Sequence, residues 1–506
     1  MIGTFMAVLD ASIVNVGLPT LMASFGVTVD TIEWVVTAYL LVLAVMLPTS
    51  GWVADHFGYK RTYLLALSLF TFGSFLCGFA WNETALIIFR IIQGAGAGFL
   101  MPVGMAIVTR EFPPERRGIA LGFWSIAAAT SVSFGPLIGG YLIDNFSWHT
   151  IFYVNVPVGI VAIVATIVIQ REYTTEHTHS FDFLGFVSVA VFLTFLLLAL
   201  SDGNAAWNTG GWSSTFIVSC FILSAVGLFV FLLVELNIEH PLIELRLMKD
   251  FNFGITNIVL FIFGLGMFGS TFLMPLYLQN SLNYTPFQAG LVFLPVGILQ
   301  AMMAPIAGYM SDKVDARIPA AVGIVLLAIS MYLNYFLSLF SMHSQIMMPL
   351  YLRGFAMGMM FTPLSTLALT NVPRHKMAQA SGLFNVIRQV GGSFGVALFG
   401  TLLTRRVIFH STMYGVSLNP NSPVFRNTMH RLEYFSQHAV GGSMYQCDVR
   451  GKALIVNHAL RQSFVSAVND DFLIAGVITI VCLVPIMFLR RKRPSQNGGE
   501  RPISSE

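Results

Sequence analysis

Charge is scarce in this sequence. Its 27 Lys+Arg and 24 Asp+Glu are spread through 506 residues, 10% charged, where an ordinary soluble domain carries roughly 25%. That excludes a soluble globular protein. The net charge of +3 is too small and too dispersed to build a basic face for nucleic acid. Cysteine is just as sparse: Cys77, Cys220, Cys447 and Cys482 show no C-x-x-C spacing, so neither a disulfide framework nor a zinc site is encoded. A phosphate loop of Walker type is missing, which argues against ATP as an energy source. Gly94-x-Gly96-x-Gly98 has neither the spacing nor the preceding strand of a dinucleotide loop. No H-E-x-x-H or G-x-S-x-G arrangement places catalytic groups in a span, so an enzyme is not expected, nor is a cofactor or a metal.

Hydrocarbon is what the chain has. Hydrophobic residues make up 56%, the mean hydropathy is +0.74, and 44 Phe accompany 44 Gly, the usage of helices bundled in lipid. A spanning helix needs about 20 mostly apolar residues. That window finds fourteen candidates: 1–23, 35–54, 62–81, 84–109, 118–142, 150–169, 182–201, 213–234, 253–278, 287–310, 318–340, 344–371, 378–404 and 471–489. Met1 opens directly inside an apolar stretch and lacks the basic n-region of a signal peptide. The expectation is a first membrane helix whose cytoplasmic leader is missing.

Positive charge then orients the bundle. With both termini cytoplasmic, 17 of the 27 Lys+Arg fall on the cytoplasmic side and none in the short external loops. The remaining long segment, 405–470, is expected outside; His410, His430, His438 and His458 within it have no metal-ligand spacing. Its stretches Met429 to Phe435 and Ala453 to Val468 suit interfacial helices or a partner surface.

The two ends of the chain repeat one another. Gly51-x-x-x-Asp55 recurs as Gly308-x-x-x-Asp312, 257 residues on; Gly122 and the Ser133-Phe134-Gly135 run recur as Gly382 and Ser393-Phe394-Gly395 at an offset of 260; Arg90 answers to Arg353 at 263. Parallel halves with a site between them near the midplane are a common transporter plan. The expected architecture is all-α and polytopic. It comprises a six-helix bundle (1–170), two inserted spans (171–252), a second six-helix bundle carrying the external segment (253–490), and a basic cytoplasmic tail (491–506).

Asp10 is the outstanding residue. A carboxylate mid-helix in hydrocarbon costs about 2.5–3.5 kcal/mol on the lenient insertion scale, so it faces a cavity or a partner. Such a group is a candidate to load and release protons. Arg90 is the natural countercharge, and making and breaking their contact is one way to couple. Asn15 is a polar neighbour on the same helix. Arg388, beside Gln389, has no acidic partner in any span and suits an anionic substrate group or backbone carbonyls equally; Arg353 is expected to snorkel to a boundary. Gly135, Gly139 and Gly140 allow close helix approach, and Pro136 bends the span, features expected to seal the interface of the halves. Asp55 with Lys60 and Arg61, together with Glu111, Glu115 and Arg116, is expected to form a charged latch, and Asp312 to repeat it.

Several runs carry a resemblance. Leu9 to Pro19 resembles the first-helix motif of the fourteen-helix drug:proton antiporters of the major facilitator superfamily, the EmrB/QacA group. Gly51 to Arg61 is similar to that superfamily's cytoplasmic loop motif, with Gly58, Lys60 and Arg61 in place and His56 and Tyr59 departing from it. Arg90 to Gly96, including Gln93, resembles the fourth-helix motif, and Gly135 to Gly140 the fifth-helix antiporter motif. Trp148 to Gly159 resembles a further signature, departing at His149 and Thr150. The resemblance implies the major facilitator fold in a bacterial inner membrane and a secondary exporter coupling proton influx to efflux of drug-like or lipophilic molecules. It also implies a proton-transfer role for Arg90, a substrate cavity including Asn15, Gln93, Arg388 and Gln389, and in some members a periplasmic adaptor protein as partner. Rival readings are export of a metabolite such as a fatty acid, amino acid or siderophore, and a non-transporting scaffold or receptor.

Overall fold

The computed structural model describes residues 1–489 apart from 114–115, 174–179, 206, 239–240, 370–371, 374–375, 419–420, 440 and 442. The basic tail 491–506 and Glu115 therefore lie outside the described residues. Among the described residues all regular structure is helical. The first bundle comprises α1 (Ile2–Phe25), α2 (Val29–Met46), α3 (Ser50–Phe57), α4 (Tyr59–Cys77), α5 (Glu83–Glu111), α6 (Arg117–Asn145), α7 (Thr150–Tyr153) and α8 (Asn155–Ile169). The inserted pair is α9 (Phe183–Asp202) and α10 (Thr215–Asn237). The remainder is α11 (Phe251–Asn280), α12 (Pro286–Lys313), α13 (Arg317–Asn334), α14 (His343–Leu369), α15 (Met377–Ser417), α16 (Pro423–Ala439), α17 (Met444–Val481) and α18 (Leu483–Phe488).

Each of the fourteen sequence spans falls on helix. Ten helices among the described residues are long and apolar enough to cross a membrane, or eleven when α2 and α3, bent by 56° relative to each other, count as one span. The bend falls at Pro48, which has no N–H to continue the ladder. The other three, α4, α6 and α14, have 19, 29 and 27 residues, long enough to cross. They are rich in glycine, serine and threonine, which lowers their hydropathy while letting neighbours approach closely.

Small residues set the packing. A Cβ on Gly73 would lie 2.7 Å from the backbone of Gln93, so α4 and α5 touch almost backbone to backbone. One face of α6 lies along α1, where Gly135 meets the Ser12 hydroxyl and Gly139 meets Ile13; another lies along α12, where Pro136 meets Gly290 and Gly140 meets Phe287. Of the four residues expected at the interface of the halves, Pro136 and Gly140 lie there, whereas Gly135 and Gly139 pack against α1 within their own half. The inserted helices are not a detached linker: α9 packs on α10 and also reaches α2 and α15. Just past its C-terminal end the chain is tied to α15 through Asn204 Nδ2, which donates to Thr401 Oγ1 at 2.8 Å, and Trp212 Nε1, which donates to the same oxygen at 3.0 Å.

The segment 405–470, expected as an external loop, is mostly helix where it is described. α15 runs on unbroken to Ser417, 41 residues or about 60 Å at 1.5 Å per residue, against a hydrocarbon core of about 30 Å. α17 starts at Met444, opened by a Ser443/Gln446 capping box, and runs to Val481 within the last expected span, the remainder of which is α18. Between them α16 folds back on α17, with Met429 against Gly451. The hydropathy window missed this because helices outside lipid need no apolar run.

Candidate functional site

Asp10 is fully buried within the first bundle. One carboxylate oxygen, Oδ2, accepts from Arg90 Nη1; the other, Oδ1, accepts from Gln93 Nε2 at 2.8 Å and Asn155 Nδ2 at 3.1 Å. Arg90 Nη1 also donates to Gln93 Oε1 at 2.7 Å, and Arg90 Nε to the Val35 carbonyl at 3.1 Å. Its guanidinium lies 4.0 Å from the centre of the Tyr39 ring. Asn155 extends the chain to Ser74 Oγ at 3.2 Å, which donates to the Phe152 carbonyl. Five helices thus converge on one carboxylate: α1, α2, α4, α5 and α8. A buried charge pair is tolerated when most of its donors and acceptors find partners in this way; Arg90 Nη2 alone is left buried without an acceptor.

A cavity of about 580 Å³ lies between the halves. Asn15, Arg388 and Gln389 line it, as the sequence suggested; Gln93 does not. Standing three residues from Arg90, Gln93 shares that residue's face of α5, which looks toward α1 rather than the cavity. Asp10 and Arg90 sit one layer behind the wall, screened by Ala7, Ala11 and Tyr39, which do line it. Tyr39 therefore touches both places: its ring stacks on Arg90, and its hydroxyl donates to the Ala7 carbonyl at 3.2 Å.

Arg353 corrects another expectation. It does not snorkel; it is 1% exposed and lines the cavity, donating to the Thr271 hydroxyl and, at 3.3 Å, to the Met267 carbonyl of α11. α14 is enclosed too tightly for the side chain to reach a boundary, since Gly354 brings its backbone against Val296 of α12. Arg388 Nη2 contacts Asn385 Oδ1 at 3.3 Å, with its guanidinium 5.6 Å from the Phe361 ring. The inserted helix α9 also supplies wall, through Leu197, Leu200 and Ser201, a contribution the sequence reading did not foresee.

Below the cavity the halves are closed at the end bearing Asp55 and Asp312. Asp312 accepts from the N–H groups of Gly118 and Ile119, both at 2.9 Å, capping α6 from the other half where its dipole favours an anion. Gly308 and Gly118 pack backbone to backbone there. The repeat-related contact is Gly51 on Gln379 at the start of α15, where a Cβ would lie 2.9 Å from the Gln379 backbone. Ser381 Oγ donates to the Pro102 carbonyl at 2.9 Å, and Ser125 and Thr362 hydroxyls meet at 3.1 Å, adding cross-half bonds.

Lys60 and Arg61 belong elsewhere. Gly58, at φ 91°, turns α4 back against the segment after α8, so both residues meet Glu172, just beyond the first bundle, rather than the other half. Lys60 donates its N–H to Glu172 Oε1 at 3.0 Å and its Nζ to the Ile167 carbonyl at 2.7 Å, while Arg61 reaches Glu172 Oε2 only at 3.7 Å. Asp55 instead accepts from the Tyr59 hydroxyl at 3.0 Å, and Glu111 Oε1 from Gln170 Nε2 at 3.2 Å. The Arg61 side chain is 77% exposed, so its ion pair is expected to matter little. Arg61→Ala should leave transport within about twofold of the parent in a vesicle assay; a larger loss would return it to the latch.

Residues 1–182 and 175–396 match the sequence pattern of the Major Facilitator Superfamily. The multidrug export protein EmrB of Haemophilus influenzae is 32% identical over 491 residues, 97% of this chain and 94% of that protein. The fatty acid resistance protein FarB of Neisseria gonorrhoeae is 31% identical over 98% of this chain and 96% of its own. Among solved structures, the human organic anion transporter MFSD10 superposes with a TM-score of 0.61 at 12% identity, covering 94% of this chain and 97% of that one, a likeness of fold.

Proposed function

The chain belongs to the Major Facilitator Superfamily, and from that premise we propose that it is a proton-driven exporter of drug-like or lipophilic small molecules working by alternating access. Like the export proteins it resembles, it is an integral membrane transporter. In the proposed topology the fourteen spans lie in a bacterial inner membrane with both termini cytoplasmic, so the closed Asp55/Asp312 end is the cytoplasmic gate. The halves that rock against each other are 1–170 and 253–490, with 171–252 between them.

The observation that carries the reading is the Asp10–Arg90 pair held one layer behind the cavity wall. A proton on Asp10 removes the charge that compensates Arg90. Arg90 then loosens from α1, and Tyr39, which it stacks on, moves in the wall itself. Cargo thus leaves with Asp10 charged, and a proton from outside returns the carrier inward. Each charge moved across 100 mV supplies about 2.3 kcal/mol, nearly two decades of concentration ratio for one proton per cycle.

A second reading, export of a lipophilic metabolite, gains support from the gonococcal relative named for fatty acid resistance. The helical extension of α15, α16 and α17 is the surface we assign to a periplasmic adaptor protein, since it stands well clear of the hydrocarbon. Efflux of a substrate panel from everted vesicles, with and without an uncoupler, tests the mechanism. Accumulation should collapse when both pH gradient and potential are abolished; undiminished transport would overturn proton antiport.

A further inference from the structure

The two halves treat their repeated arginine differently. In the first, Arg90 of α5 reaches α1 and meets the carboxylate of Asp10. In the second, Arg353 of α14 reaches α11 in the same manner and meets Thr271, which stands 261 residues after Asp10, within the range of offsets of the repeat. The carboxylate has been replaced by a hydroxyl. Arg353 is thereby left as a buried cation with no anionic partner among the described residues, and its Nη1 donates to none of them. A guanidinium does not escape this by deprotonating, for it stays charged in proteins.

Arg388 compounds the imbalance. It lines the same cavity, its Nε is buried without an acceptor, and its other contacts are an amide oxygen and a sulfur. No Asp or Glu is among the described residues lining the cavity, so the wall carries two positive charges and no negative one. The rest of the wall mixes uncharged polar groups such as Asn15, Gln300 and Gln389 with apolar and aromatic ones, including Phe263, Phe268, Phe293 and Met267 on α11 and α12. Buried cations of this kind demand a counterion, and the described residues supply it for Arg90 but not for Arg353 or Arg388.

We propose that the cargo of this cavity is an amphipathic organic anion. Its carboxylate- or sulfonate-type head binds the guanidinium groups of Arg353 and Arg388, and its apolar body lies against the phenylalanines. The inference rests on the cavity being the transport site, as proposed above, and names the charge of what it carries. It also assigns complementary tasks to the repeat: one arginine answers to an internal carboxylate that takes the proton, the other to the carboxylate or sulfonate of the cargo.

Equilibrium binding to the purified full-length protein tests this without any gradient, so its outcome is independent of whether export is proton-driven. Three naphthalene probes of similar size serve: the 2-sulfonate, the neutral 2-sulfonamide and a 2-trimethylammonium cation. The sulfonate keeps its charge at all working pH values, which separates head-group recognition from protonation of the ligand. The sulfonate should bind at least about tenfold more tightly than the amide, and the cation most weakly. Thr271→Asp places a carboxylate beside Arg353 as in the other half and, with Arg388 still unpaired, should cut the ratio of sulfonate to amide affinity by at least about threefold. Arg353→Gln should act alike, and the Thr271→Asp result guards against a merely misfolded variant because it adds a partner rather than removing one. Equal affinity for the three probes, preference for the cation, failure of the sulfonate to bind, or an undiminished preference in Thr271→Asp overturns the proposal. Proton-driven export of a cation with no sulfonate binding would sink this inference and leave the exporter standing; sulfonate selectivity without uncoupler-sensitive export would do the reverse.

Discussion

Asp10→Asn is expected to reduce proton-driven efflux to the level of vesicles lacking the protein. The variant keeps the shape of the side chain and an oxygen to accept from Gln93 and Asn155, but it can no longer carry the charge that Arg90 faces. Leaving one partner of a buried pair uncompensated costs roughly 3–5 kcal/mol, so the single variant should also melt at lower temperature. Stability and transport can be pulled apart by removing the second charge. In Asp10→Asn with Arg90→Gln the uncompensated cation is gone, and the fold should recover to within about 1 kcal/mol of the parent. Efflux should not recover with it. Melting in detergent followed by tryptophan fluorescence, alongside efflux from everted vesicles, reads both quantities. A double variant that regained uncoupler-sensitive efflux would reduce the pair to a structural tie.

The sequence disclosed much of this arrangement because lipid enforces simple rules. Every span had to be an apolar helix, and all fourteen windows fall on helices. A carboxylate in hydrocarbon had to find a partner, which made the Asp10–Arg90 contact a reasonable expectation from cost alone. Other features depend on which way a helix face is turned, and composition does not report that. Gln93 was expected in the cavity although its spacing from Arg90 already placed it on the same face of α5. Asn155 lay in plain view inside the Trp148–Gly159 run yet was not connected to Asp10, 145 residues away. Arg353 was misjudged because its depth depends on α14 being enclosed by other helices. The repeat offset holds the better signal: applied to Asp10 it leads to Thr271, where the second half has a hydroxyl in place of the carboxylate. Helix continuation through 405–470 had a local cue as well, the Ser443/Gln446 capping box that opens α17.

Gly118→Val should prevent the Asp55/Asp312 end from closing. A Cβ at Gly118 would lie 2.5 Å from both the Gly308 carbonyl oxygen and Asp312 Oδ1. Neither can retreat cheaply: one is backbone, and the other is held by the N–H groups of Gly118 and Ile119 at 2.9 Å. Overpacking of this kind costs about 1–3 kcal/mol or more, which shifts a two-state ratio by roughly 5- to 150-fold. The conformation with the halves joined here should lose most of its population, and export should stop for want of it. A cysteine placed at the cavity, Met101→Cys, reads the change through a membrane-impermeant maleimide applied from the cytoplasmic face of everted vesicles. The four native cysteines are buried, so the background is low. Labelling should be about tenfold or more faster in the Gly118→Val background. Gly51→Val, which drives a side chain into the Gln379 backbone at the repeat-related contact, should behave alike, whereas Gly415→Val, with nothing within 4 Å, should change neither labelling nor efflux. Asp312→Asn keeps the space but gives up the charge on the α6 N-terminus and one of the two oxygens that accept from Gly118 and Ile119, so its effect, about 0.5–2 kcal/mol, should still be smaller than that of the steric clash. The order Gly118→Val, then Asp312→Asn, then Gly415→Val separates a steric seal from an electrostatic one. If Asp312→Asn opened the end as fully as Gly118→Val, charge rather than close packing would be what holds the gate.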